Sequence, residues 1–170
     1  MSETAAEKSA RAICTRITDA MAALRDYAPP GPETDADPVK VREELHVVRG
    51  LLDQAEVLFA EMSSVRADFR AKAAQRREQF QDRFDRELGK LTGRSVSAQY
   101  ESGKEREAQA RVKAVDELIV SRTADRCVVI VDGAYETVRI KYYGLLNIRE
   151  ELLNLLTRYL PWRASMEDPA

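Results

Sequence analysis

The sequence predicts an all-α fold: a long helical hairpin with coiled-coil features, built to assemble as an oligomer. Three observations carry this. Between Val41 and Leu91 about fifty residues keep a helical periodicity with no proline. The apolar positions there begin as Val41, Leu45, Val48, Leu52, Ala55, Phe59 and Met62, and steps alternating four and three form the seam of a coiled coil. The composition is 33% charged and only 6% aromatic, rich in Ala, Glu, Arg and Leu, which fits long helices better than a compact mixed domain. With 170 residues, 44% of them hydrophobic, the chain is long enough for one domain with a core.

Residues 1–27 form the first predicted unit, an N-terminal amphipathic helix over 3–27. Ile13, Ile17, Met21 and Leu24 lie three to four apart and make one apolar face. Residues 28–38, APPGPETDADP, hold four of the six prolines and read as an acidic linker, because proline fixes φ and removes a donor. Such a linker frees the first helix to pack on a neighbour or a partner. Asp37 and Pro38 then start the second helix: the aspartate caps free N–H groups and proline fits the first turn.

The second helix is expected over about 38–91, roughly 80 Å at 1.5 Å per residue. Gly50 costs about 1 kcal/mol against alanine there without stopping it. The seam drifts through Val65, Phe69 and Ala73 to Phe80, Phe84, Leu88 and Leu91. A helix this long cannot fold alone, so Leu45, Val48, Leu52, Phe59 and Met62 are assigned to oligomerisation. Leu91-Thr92-Gly93-Arg94-Ser95 is the expected reversal, with glycine as the C-terminal cap.

A third helix is expected from near Ser97, with Tyr100, Ala108, Val112, Val115 and Ile119 at helical spacing, so that 38–91 and 97–122 make the hairpin. Beyond Arg126 two readings stand. CVVIV, Asp132-Gly133 and TVRIKYY have the composition of a β-hairpin. Tyr135, Val138, Tyr142, Leu145, Leu152 and Tyr159 keep a helical rhythm instead, and two isolated strands are marginal. The helical reading is favoured, running to about Leu160 and stopped by Pro161. The hairpin domain thus spans 39–161, and residues 162–170 form a flexible tail.

The net charge of −2 hides an asymmetry. Residues 1–65 hold 7 basic and 12 acidic side chains, net −5; residues 66–113 hold 13 and 8, net +5; residues 114–170 hold 7 and 9, net −2. A stripe of Lys72, Arg76, Arg83, Arg86, Lys90 and Arg94, spaced by three, four or seven, keeps to one side of a helix. Such a field steers an anionic ligand. The plainer account is a solvated face laced with i,i+4 ion pairs such as Asp82 with Arg86. Cations at regular rise can follow a phosphate backbone, and binding then draws on counterion release. Duplex readers usually add a short recognition helix, and no such motif is visible. A flexible single strand needs a positive groove and π faces for stacking. Tyr100, near Arg94, Lys104 and Arg106, supplies one such face or else packs between helices. Copies assembled through the seam would repeat the stripe and add avidity.

Catalytic chemistry is not expected. His46 stands alone in an exposed helical setting, and no His, Cys or carboxylate pairs have metal-ligand spacing, so no metal and no cofactor are predicted. Gly89-Lys90-Leu91-Thr92 lacks the earlier glycine of a phosphate loop. Cys14 and Cys127, the only cysteines, are expected to be reduced and buried or idle. No apolar run reaches the roughly 18 residues of a membrane span, and the N-terminus is too polar for a signal peptide, so no membrane association and a cytoplasmic location are expected.

Two stretches, FRAKAAQRREQFQDRFDRELGKLTGRSVSAQYESGKEREAQARV and YETVRIKYYGLLNIREELLNLLTRYL, together covering roughly residues 69–160, resemble the UvsY recombination mediators of tailed phages. Tyr142-Tyr143-Gly144-Leu145-Leu146 is the most distinctive segment. The resemblance implies a helical homo-oligomer that holds single-stranded DNA and helps load a RecA-like recombinase while single-strand-binding protein is displaced. It implies DNA-binding cations near the end of the long helix, matched in place by Arg83, Arg86, Lys90 and Arg94, and for a phage-encoded chain it implies the host cytoplasm. The first 38 residues depart from the family pattern. The other readings are a coiled-coil scaffold or adaptor, such as a phage assembly chaperone, that binds protein and no nucleic acid, and a small DNA-binding repressor.

Overall fold

A computed structural model of the chain describes residues 3–24, 27, 37–92 and 102–166, with side chains described through residue 158. Among the described residues four elements are present, all helices: α1 (Ala5–Ala23), α2 (Pro38–Thr92), α3 (Gly103–Lys113) and α4 (Val115–Met166). No strand occurs among the described residues. The chain divides into two compact units, unit 1 comprising Met1–Cys14 and Ser64–Gly133, and unit 2 comprising Thr15–Ser63 and Ala134–Ala170.

Three helix starts are fixed by local hydrogen bonding. At α1 the Glu7 carboxylate accepts from the Thr4 N–H at 2.7 Å while the Thr4 hydroxyl accepts from the Glu7 N–H at 3.3 Å. Asp37 caps α2 as expected, its carboxylate accepting from the Val39 N–H at 2.9 Å, with Pro38 in the first turn. Ser102 and Glu105 form a full capping box at α3. The α3–α4 junction is a single residue, Ala114, at φ −103° and ψ 18°. The helical hydrogen bonding continues past it, from the Ala114 N–H to the Ala110 carbonyl and from the Leu118 N–H to the Ala114 carbonyl.

Unit 2 has a core of large apolar side chains: Ile17, Met21 and Leu24 of the first segment, Val41, Val48, Leu52, Ala55 and Met62 of α2, and Val138, Leu145 and Leu152 of α4. Val41, Val48, Ala55 and Met62 recur every seven residues, as do Val138, Leu145 and Leu152. Phe59 stacks on Tyr142 with centroids 4.8 Å apart and meets Tyr135 at 5.6 Å. Lys141 donates to the Leu24 carbonyl at 2.8 Å, and Arg16 pairs with Glu61. Unit 1 is built differently. Its buried residues are mostly small, Ala10, Cys14, Ala73, Ala110, Ala114 and Cys127 with Val131 and Leu91, and polar Glu7, Glu87 and Ser121 join them. Ion pairs lace its helices: Arg66 and Arg70 grip Asp132 at 2.7 and 2.9 Å, Arg77 pairs with Asp125 at 2.7 Å, and Arg126 reaches the buried Glu7 at 3.2 Å. Cys14 and Cys127 are buried and not joined in a disulfide, as expected, and burial raises the pKa of each.

Several expectations change. The oligomerisation assignment is the largest. Val48 and Met62 are fully buried and Leu52 is 6% exposed within the single chain, so they serve its own core; Leu45 and Phe59 are half-buried. Helix α1 ends at Ala23, short of 27, and packs within the chain rather than standing apart: Glu7 joins unit 1 and Ile17, Met21 and Leu24 join unit 2. The third helix is interrupted at Ala114. Residues 127–143 are helical, the alternative the rhythm favoured, because Val131, Val138 and the Asp132 contacts tie this stretch to its neighbours. Helix α4 runs through Pro161 to Met166, five residues past the expected stop. Most of the 28–38 linker and the Gly93–Ser95 part of the reversal lie outside the described residues.

Candidate nucleic-acid interface

The charge asymmetry follows the two units. Unit 1 holds 17 basic and 14 acidic residues, net +3; unit 2 holds 10 and 15, net −5. Within unit 1 the described cations differ in how they are held; Arg11, Arg83 and Lys90 pair with carboxylates of their own segment. Arg66, Arg70, Arg77 and Arg126 are committed to ion pairs between segments. Lys8, Lys72, Arg76, Arg86, Lys104, Arg111, Lys113 and Arg122 are exposed and form no ion pair with another described residue.

The residues expected to bind nucleic acid fall unevenly across these groups. The Lys72 ammonium lies 5.6 Å from the centroid of the Phe69 ring. Arg76 donates to Gln79 at 2.8 Å and lines a shallow pocket with Asp116 and Glu117. Arg83 and Lys90 share the buried Glu87, at 3.6 and 2.7 Å. The Lys90 hydrogen bond first, then the charges of Lys90, Arg83 and Lys113, hold the Glu87 carboxyl below the usual range despite its burial. Glu87 therefore pairs with two cations of α2 and lies within the field of Lys113 of α3, leaving a local excess of positive charge. Arg86, expected to pair with Asp82, shows no such bond. Lys104 is exposed in the first turn of α3, and Arg106 is half-buried, its Nε buried without a partner among the described residues. Arg94 and Tyr100 lie outside the described residues.

Sequence reasoning missed the other wall of this region. Phe80, Gln81 and Phe84 of α2 face Arg111 of α3 and Leu118 and Arg122 of α4 across an open groove of about 170 Å³. The two phenylalanines are half-buried, with ring centroids 6.1 Å apart. Lys104 and Arg111 lie seven apart on one side of α3, and Leu118 and Arg122 four apart on one side of α4, so each helix brings a cation to the groove. That spacing was the available signal, extending the basic stripe from α2 into the next helices. The apolar seam passes through Phe80 and Phe84, and the structure leaves both residues half-buried. The groove sets aromatic surface beside two guanidinium groups, an arrangement suited to a ligand both planar and anionic.

Unit 2 has a cleft of another character. Leu45, Leu52, Leu146 and Tyr142 line a space of about 370 Å³, with Arg49 and Glu56 also on its walls. Among the described residues no three His, Cys, Asp or Glu side chains gather where a metal ion could sit, and no helix is long and apolar enough to cross a membrane. Comparison of the chain with protein-family models, with curated proteins and with solved structures finds no match.

Proposed function

We propose that this chain is a single-stranded DNA-binding recombination mediator, a non-enzymatic protein that orders an unpaired strand and assists loading of a RecA-like recombinase as single-strand-binding protein is displaced. One observation supports the DNA-binding part above all. Unit 1 keeps eight exposed cations out of ion pairs with its described residues, and two of them, Arg111 and Arg122, line the Phe80–Phe84 groove. The recombinase and single-strand-binding protein partners rest on the family resemblance of residues 69–160.

Self-assembly belongs to this reading, on a new surface. Arg49, Asp53 and Glu56 follow each other along α2 by steps of four and three at the unit 2 cleft. A second copy laid antiparallel sets Arg49 of each against Glu56 of the other around a two-fold axis, and repeated DNA sites then bind by avidity. Anisotropy of a labelled oligonucleotide, titrated with protein at rising salt, tests the DNA reading; no binding at low salt removes it. The scaffold or adaptor reading draws on the same cleft and on exposed Val57, Ile140 and Tyr143 of unit 2. A purified protein free of nucleic-acid absorbance that captures a protein partner favours it.

A further inference from the structure

The groove between α2 and the α3–α4 segment differs from the rest of the basic surface because it has a floor. Phosphate alone needs only charge, and Lys72, Arg86 and Lys113 offer charge on open surface. At the groove, two half-buried benzyl rings 6.1 Å apart line the same space as arginines of two other helices. Exposed phenylalanine is costly in water, and neither ring is fully covered by the chain's own core. The space of about 170 Å³ is well below that of a drug-sized pocket, so it takes one ring-bearing group rather than an extended ligand.

We infer that the groove is a base-stacking subsite for one nucleotide of an unpaired strand, with the base on Phe80 and Phe84 and its neighbouring phosphates on Arg111 and Arg122. This rests on the single-strand-binding reading above and adds the basis of its selectivity. A stacked, paired base keeps its faces covered, whereas an unpaired base can turn one face to the rings. Stacking is tolerant of base identity because every base has a π face. Lys104, on the same side of α3 as Arg111, carries the strand onward as a third phosphate contact.

The test uses the full chain and three probes of equal length: a labelled single strand, an abasic strand with the same phosphates, and a duplex. At one fixed moderate salt concentration the wild-type protein is expected to bind the normal strand about tenfold or more tightly over the abasic strand. A 2-aminopurine base in the normal strand is expected to lose fluorescence on binding. Phe80→Leu with Phe84→Leu erases the difference between normal and abasic strands, and circular dichroism with a melting curve confirms that the variant is folded. Arg111→Gln with Arg122→Gln weakens both single strands and flattens the dependence of log affinity on log salt by about 1.4, at about 0.7 per phosphate. Equal wild-type affinity for normal and abasic strands overturns the subsite while leaving a charge-only DNA-binding surface. Absence of binding to every probe at low salt overturns the single-strand reading itself.

Discussion

Replacing Val48 with aspartate separates two accounts of the apolar seam on α2. If the seam joined copies, a charge there would dissolve the oligomer and spare the protomer. Val48 is fully buried in the chain itself, in unit 2 with Met21, Leu52 and Leu145. The variant forfeits the burial of a valine side chain, about 2 kcal/mol. It also buries an unpaired carboxyl group, whose cost reaches about 3 kcal/mol even after partial relaxation. The total, about 5 kcal/mol, is comparable with the whole stability of many domains. For a chain of this size each kcal/mol moves Tm by about 2–4 °C, so Val48→Asp is expected to lower Tm by about 10–20 °C or to prevent folding. Thermal circular dichroism and sedimentation equilibrium on the same samples decide the matter. A variant with Tm within about 3 °C of wild type and a reduced mass in solution would refute the intrachain assignment.

Four further outcomes are expected. Gly50 and Gly89 lie inside α2 with open space where a Cβ would stand, so Gly50→Ala and Gly89→Ala each stabilise by up to about 1 kcal/mol, read as a higher urea midpoint. Ser102→Ala removes the capping box of α3 and costs about 1 kcal/mol, read as faster amide exchange in the first turn of α3. Asp132 is held below its ordinary 3.8, by the Arg70 hydrogen bond first and by Arg66, so the folded chain binds fewer protons than the unfolded chain as pH falls through that range. Its contribution is present above the ordinary value and lost below the depressed one; Asp132→Asn therefore costs up to about 1 kcal/mol at pH 7 and flattens the acid side of the stability profile, measured by urea titration at several pH values. Arg49→Glu is expected to lower the solution mass of an assembled form, and adding Glu56→Arg to restore it; an unchanged mass in Arg49→Glu removes the two-fold contact.

The helices were legible where local chemistry and periodicity agreed. The Asp37-Pro38 start, the length of α2 and the apolar face of Ile17, Met21 and Leu24 need only neighbours in sequence. The destination of that face was not legible, because a proline-rich linker shows that a helix is released and not where it lands. The seam misled for the same reason: a heptad pattern demands a partner helix, and the partner is α4 of the same chain, through Tyr142 on Phe59. Ala114 interrupts the third helix without glycine or proline to announce it. The helix beyond Pro161 shows that a proline removes one donor without always ending a helix. For the candidate site, Arg83, Arg86 and Lys90 stand on the predicted helix, but Arg83 and Lys90 are partly spent on Glu87. The groove could not be read from one helix, since its walls come from segments some thirty residues apart.

The two shielded sulfur atoms make the native chain its own clock for opening. Cys14 and Cys127 both belong to unit 1, and their desolvated protonated state slows attack on alkylating or disulfide reagents while the helices stay closed. The rate at which a thiol-specific dye modifies them therefore reports how often that unit breathes, without any label being engineered. On the proposed DNA-binding reading, adding a polynucleotide during such a chase lengthens the protection of sulfur, because a ligand that binds the closed unit disfavours its opening.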